Sequence, residues 1–217
     1  MMKCGILEKK RGGVNDRTIG CYQEQLFPDD FKQSDPNSEE HQNQRGWSAE
    51  YMLREAKPKD YQEQIFGGYE AAFHAGKTVL DIASGQALGI IQLATRFPNT
   101  SFIGADILYE HERVVFPGKP GVQLTKADWR VLRTISDHSV DTILSLQGIG
   151  MWGMPGQSVR HSTTQEDGEK IIAALTRVAK SGAVVRIDGH PDFLYEKMNE
   201  KIWEVVHYEH VFIARKR

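Results

Sequence analysis

Between residues 79 and 107 the chain reads Val-Leu-Asp-Ile-Ala-Ser-Gly-Gln-Ala-Leu-Gly-Ile-Ile-Gln-Leu-Ala-Thr-Arg-Phe-Pro-Asn-Thr-Ser-Phe-Ile-Gly-Ala-Asp-Ile, the pattern of one βαβ unit. An apolar run over residues 78–82 carries Asp81 near its end, and a small-residue turn of Ala83, Ser84 and Gly85 follows. A helix comes next, with Ala87, Ile90, Ile91 and Ala94 on one stripe. A second apolar run, residues 102–105, is closed by Asp106. Two acids at the carboxyl ends of neighbouring parallel strands, with a close-approach turn between them, suit a ligand that carries a ribose and a positive charge.

Composition narrows the classes. A chain of 217 residues, 40% hydrophobic and 26% charged, fits one globular domain with a modest extension. Its two cysteines, Cys4 and Cys21, lie in the polar N-terminal region and imply neither a disulfide framework nor a Cys-rich metal site. A formal net charge of −2 makes no global electrostatic case for nucleic acid or membrane. No apolar run approaches the roughly 20 residues that span a bilayer. The first residues, Met-Met-Lys-Cys-Gly-Ile-Leu-Glu-Lys-Lys-Arg, lack a signal peptide's apolar centre, so a cytoplasmic setting is the expectation.

Residues 1–45 are polar and turn-rich, including Gln-Ser-Asp-Pro-Asn-Ser-Glu-Glu-His-Gln-Asn-Gln over 33–44, and read as a mobile N-terminal segment or lid. Residues 46–76 read as a helical cap: Ser48 is an N-cap candidate, and Asp60 with Glu63 makes a capping-box start. Strand and helix then alternate, with strands expected at 122–127, 140–145 and 183–188. A helix is expected over 165–180, striped by Ile171, Ala174, Leu175 and Val178 and closed by Ser181-Gly182. A short helix over 192–200 and two β pieces, 202–208 and 210–215, complete the pattern. The alternation predicts a doubly wound α/β fold, a mostly parallel sheet with helices on both faces and an antiparallel hairpin at the C-terminal edge.

Over about residues 60–217 the chain resembles the class I S-adenosylmethionine-dependent methyltransferases, a Rossmann-like family with a seven-stranded sheet. The family's glycine-rich signature corresponds to Val79-Leu80-Asp81-Ile82-Ala83-Ser84-Gly85-Gln86-Ala87, and the acid closing the second strand to Asp106. The acid after the third strand is Asp128, in Lys126-Ala127-Asp128-Trp129. The run introducing strand four is Asp137-His138-Ser139-Val140-Asp141, and Arg177-Val178-Ala179-Lys180-Ser181-Gly182-Ala183 is similar to the family's turn before strand five. The chain departs where the family commonly has glycine, at Ala83 and Ala87, and keeps Gly85. Each alanine adds a methyl that narrows the allowed backbone angles and the ligand's approach.

The resemblance implies S-adenosyl-L-methionine as cofactor. It implies that Ala83, Ser84, Gly85 and Gln86 wrap the cofactor's amino-acid end, where backbone N–H groups meet a carboxylate. Asp81 would engage the ammonium from beneath, and Asp106 would accept hydrogen bonds from both ribose hydroxyls. Asp128 would accept from the adenine amino group, and Ile107 would supply an apolar wall. Trp129 either packs on the ring or offers its backbone N–H, with core packing an equal alternative. Ala127 and Ser145 complete the cofactor-contacting set. The acceptor side would follow strands four and five, with His190 the best general-base candidate and a capping or surface role its alternative. Asp188, His190 and Asp192 sit on one turn without a fourth ligand, so no metal is expected.

The expected activity is methyl transfer to a small molecule, with an RNA or protein acceptor left open. Two other readings compete. One is a non-catalytic module on the same fold, favoured by the two alanines. The other is a nicotinamide-dependent oxidoreductase, against which stand the missing Gly-x-Gly-x-x-Gly and the acid at the first turn.

Overall fold

The computed structural model describes residues 73–85, 87–107, 109, 114–115, 121–146, 165–188, 192–208 and 211–217. The expected lid at 1–45, all but the end of the helical cap at 46–76, both cysteines, Gln86 and His190 lie outside the described residues.

In chain order the elements are β1 (Thr78–Ile82), α1 (Leu88–Arg96), β2 (Ser101–Asp106), β3 (Val114–Val115) and β4 (Val122–Lys126). They continue with β5 (Val140–Leu146), α2 (Gln165–Val178), β6 (Ala179–Asp188), α3 (Asp192–Lys197), β7 (Trp203–Tyr208) and β8 (Val211–Lys216). All strands join one sheet in the order β3-β4-β2-β1-β5-β6-β8-β7. Neighbours from β4 through β6 are parallel, whereas β8 runs antiparallel to both β6 and β7. The seven longer strands therefore make the mostly parallel sheet with a C-terminal antiparallel hairpin that the sequence predicts. The two-residue β3, paired antiparallel with β4, is an addition no apolar run announced.

Alternation along each strand divides the core into two layers. Leu80, Ile82, Ile143, Val185, Ile187, Phe212 and Ala214 share one buried cluster with Ile171, Leu175 and Val178 of α2. The residues between them on β1 and β2 face α1: Gly104 stands against Ile90 of that helix. At the outer end of this layer Phe73 stacks on Phe97 at 5.3 Å between ring centroids and on Phe102 at 6.1 Å. With α1 and α2 on opposite faces, the carboxyl ends of β1, β2, β4 and β5 lie side by side along one rim.

The helix ends follow from local chemistry. α2 carries Glu166 and Asp167 in its first turn and Arg177 in its last, each charge matched to the helix dipole. It stops at Val178, two residues short of the sequence expectation, because Ala179 already pairs with Val140 of β5. Between that pair and Thr142↔Val184, β5 advances two residues and β6 five, so β6 bulges. Gly182, at φ +77°, makes the bulge possible. The Ser181-Gly182 pair that reads as a helix stop is thus a kink within a strand. Lys216 of β8 donates to the carbonyls of Thr176 and Ala179 at 2.7 and 2.8 Å, closing the helix from across the sheet.

Because Leu175 is fully buried beneath the sheet, Leu175→Ala should lower unfolding free energy by about 2–5 kcal/mol. Denaturant titration checks this against Val131→Ala, an exposed position expected to change stability by under about 0.5 kcal/mol.

Candidate ligand site at the carboxyl rim of the sheet

β1 delivers Asp81 to the rim and β2 delivers Asp106, and both carboxylates are buried. Register fixes their relation: Asp81 pairs with Gly104 on β2 and with Leu144 on β5. Asp106 accepts the Gly85 N–H through Oδ2 at 2.8 Å, so the end of β2 holds the turn that leaves β1. Among the described residues the Asp81 carboxyl has no hydrogen-bond or ion-pair partner. Burial raises its pKa well above the usual carboxylate range, and the neighbouring Asp106 charge pushes the same way.

The turn itself is tightly determined. The amides of Ala83 and Ser84 donate to the Ala105 carbonyl at 2.8 and 3.3 Å, and the Ala87 amide donates to the Ser84 carbonyl at 2.9 Å. These N–H groups, with that of Gly85, are directed into the protein. A ligand carboxylate would instead meet the first turn of α1, whose leading amides lack intrahelical partners and which no side chain caps. Ala83 and Ala87 both sit at φ 59° and Gly85 at φ 54°, so the left-handed region recurs at alternate positions. For alanine that conformation costs on the order of 1 kcal/mol, a strain held by surrounding contacts. The departure from glycine seen in the sequence therefore falls at the two positions where glycine would relieve strain.

Two residues absent from the sequence expectations complete the turn. A Cβ on Gly104 would come within 2.9 Å of both Ser84 Oγ and Leu124 Cδ2, so a side chain here would displace Ser84 or Leu124. Tyr109 is buried, and its hydroxyl lies 2.7 Å from Ser84 Oγ. Burial raises the Tyr109 pKa well above the ordinary phenol value, with the charges of Asp106 and Asp81 acting in the same direction and the Ser84 hydrogen bond opposing them. The only signal for Gly104 was its place inside a strand. Tyr109 carried none.

The remaining expected residues divide. Ala127 is buried beside Asp106 and donates its N–H to that residue's carbonyl at 3.1 Å. Ile107 is a large apolar side chain left exposed at the rim, where a hydrophobic wall would stand. Trp129 is partly buried and packs against the α2-side core, the alternative left open for it. Asp128 is gripped by Arg130, whose Nε and Nη2 reach its two carboxylate oxygens at 2.9 and 2.6 Å. That hydrogen bonding holds the Asp128 pKa below the ordinary value. A ligand amine at Asp128 would share an acceptor already serving a guanidinium. Ser145 is fully buried and pairs with Ile187 on the α2 side, whereas Asp81 lies on the α1 side. The structure thus brings Asp81, Ala83, Ser84, Gly85, Asp106 and Ala127 together and sets Ser145 on the other face. Farther along the rim, Asp188 is taken up by Arg186 of the same strand through bonds of 2.7 and 2.6 Å, both residues buried.

A carboxyl whose folded pKa is raised binds more protons in the native than in the unfolded state, so stability falls as pH climbs from about 4 toward the folded value. Removing the ionisable group should remove that loss: the stability advantage of Asp81→Asn over wild type should widen as pH rises above about 4, the ordinary value for an aspartate. Ligand-free denaturation curves across pH measure it, and a difference independent of pH would contradict it. Ala83→Gly should stabilise by about 1 kcal/mol in the same assay through relief of the left-handed strain.

No family model and no curated protein matches the sequence. Solved structures of similar fold include TrmN from Thermus thermophilus, with 15% identity and a TM-score of 0.49, covering 78% of this chain and 52% of that one. A SAM-dependent methyltransferase from Aquifex aeolicus has 15% identity and a TM-score of 0.44 over 78% of this chain and 97% of its own. A 16S rRNA (adenine(1408)-N(1))-methyltransferase from Catenulisporales acidiphilia, solved with cosubstrate SAM, has 15% identity and a TM-score of 0.41 over 67% and 86%. Independently of these likenesses, the order of the seven long strands and the reversed β8 give this chain the Rossmann-like fold of the class I S-adenosylmethionine-dependent methyltransferases.

Proposed function

We propose that the chain is an S-adenosylmethionine-dependent methyltransferase that methylates a nucleophilic atom of a small molecule. The observation carrying this reading is the buried Asp81 carboxyl, left without a partner among the described residues and backed by the buried carboxylate of Asp106. A buried acid needs a proton or a cationic partner, and a ligand with an ammonium and a sulfonium meets that need. The first turn of α1, with no capping side chain, offers amides for the same ligand's carboxylate. The donor set therefore fits the cofactor.

Asp81 is assigned to the ammonium, Asp106 to the ribose hydroxyls and Ile107 to an apolar wall. Ala83, Ser84, Gly85 and Ala127 shape the floor, and Gln86, outside the described residues, keeps the role the resemblance implies for it. Asp128 and Trp129 are assigned to the adenine end, with Arg130 as the competitor for Asp128. When bound, the cofactor supplies an electrophilic methyl group, and the protein's task is to exclude water and hold the acceptor in line. His190, outside the described residues and two positions past β6, remains the assigned base for an acceptor that must lose a proton. The net charge of −2 supports a small acceptor over a polyphosphate one. The lid over residues 1–45 and a cytoplasmic setting belong to the same reading. No helix among the described residues is long and apolar enough to cross a membrane.

One observation favours a second reading. The left-handed alanines at 83 and 87 would also suit a non-catalytic module whose turn no longer opens to a ligand. A nicotinamide dinucleotide is disfavoured because its pyrophosphate would approach two buried acids.

Calorimetry with S-adenosylhomocysteine separates these readings. Wild type should bind it, and Asp106→Ala should lose at least about 1 kcal/mol, the scale of hydrogen bonds to a charged acceptor. Unchanged affinity in that variant would remove Asp106 from the site. A thermal shift with NADH alone would replace the methyltransferase reading, and no binding of either compound would favour the non-catalytic module.

A further inference from the structure

Asp106 has two functions in this site: by position it ends β2 at the rim, and by hydrogen bond it holds Gly85. Three residues later in the same connection, Tyr109 reaches back under the same turn. Its side chain is about 1% exposed, and its hydroxyl meets Ser84 Oγ at 2.7 Å in a buried contact. Ser84 is itself buried and stands in the space left by the missing side chain of Gly104. The turn is thereby pinned on both sides of Ser84: Ala83 and Ser84 by the Ala105 carbonyl, Gly85 by Asp106, and the Ser84 side chain by Tyr109.

The pinning matters because of what the turn is made of. With glycine at positions 83, 85 and 87 the left-handed backbone would be an ordinary state of the chain. With Ala83 and Ala87 it is disfavoured and persists only where neighbouring contacts enforce it. An anchor on Ser84 supplies such enforcement from within the buried layer, where a hydrogen bond competes with no solvent.

We propose that Tyr109 is a positioning residue for the ligand site: its hydroxyl latches Ser84 and holds the alanine-bearing turn in the left-handed shape that receives the ligand's amino-acid end. The latch rests on the methyltransferase reading for the ligand's identity. It does not rest on that reading for its effect on the turn.

The test pairs Tyr109→Phe with Ser84→Ala and their double variant, read by two measurements on the full chain. The first is amide hydrogen exchange of residues 83–87 without ligand, in which both single variants should lose protection while the core of α2 keeps its own. The second is calorimetric affinity for S-adenosylhomocysteine, which should weaken about five- to tenfold in each single variant, the size of one hydrogen bond. In the double variant it should weaken no further, because the two changes remove the same contact. A tyrosine that only fills the core would lower melting temperature in Tyr109→Phe and leave protection and affinity at wild-type values, and that result overturns the latch. Affinity losses that multiply in the double variant overturn it too. Should Tyr109→Phe fail to fold, Ser84→Ala carries both readouts, since it removes the same bond with a smaller change. If wild type fails to bind S-adenosylhomocysteine, the methyltransferase reading falls, and hydrogen exchange alone decides the latch.

Discussion

Placing two buried acids at the ends of adjacent parallel strands is the constraint around which this rim is organised. A carboxylate taken out of water is costly unless something charged or donating meets it. Asp106 is met in part by a backbone amide from the neighbouring turn. Asp81 is met by nothing among the described residues, so burial, and after it the Asp106 charge, raise its pKa without opposition. Stability alone would favour an apolar residue at that point in β1. On the proposed reading, a cationic ligand group would offset the cost of burying this carboxyl.

The surrounding packing serves that arrangement. Gly104 contributes by having no side chain, so that Ser84 fits between α1 and β2. The parallel register of β1 with β2 aligns Asp81 with Gly104, the residue whose missing side chain leaves room for Ser84. At the opposite rim the electrostatics are conventional. Asp141 is shared by Lys77, Lys180 and the Thr78 amide, which tie the starts of β1, β5 and β6 together where no ligand is expected. Among the described residues, a satisfied acid therefore stands at one end of the sheet and an unsatisfied one at the other.

Much of this was legible in the residues because the signals are local. Runs such as Thr-Val-Leu-Asp-Ile and Val-Asp-Thr-Ile-Leu-Ser-Leu form strands where their apolar periods say they should, and the Ile171-to-Val178 stripe buries as a helix face. The acids Asp81 and Asp106 were readable for the same reason, each standing at the end of its run. What escaped depends on partners distant in sequence. The start of β6 was misplaced because Ala179 obeys Val140, not its own helical neighbours. Asp128 reads as an open acceptor until Arg130 folds back on it, and which face of β5 carries Ser145 is fixed only by its pairing with Ile187. Tyr109 could not be singled out because nothing in the run after Asp106 says that a phenol turns back to meet Ser84.

The position of β8 has a consequence for how the molecule comes together. β7 is made before β8 yet, among the described residues, pairs only with it, and β8 fills the slot between β6 and β7. The described sheet therefore cannot be completed until residue 216 has emerged from synthesis, and until then β7 lacks the strand it pairs with here. Contacts of that kind close late and favour slow, all-at-once assembly over gradual growth from the amino end. Lys216 then reaches the carbonyls at the end of α2, so the final strand also secures a helix formed some forty residues earlier.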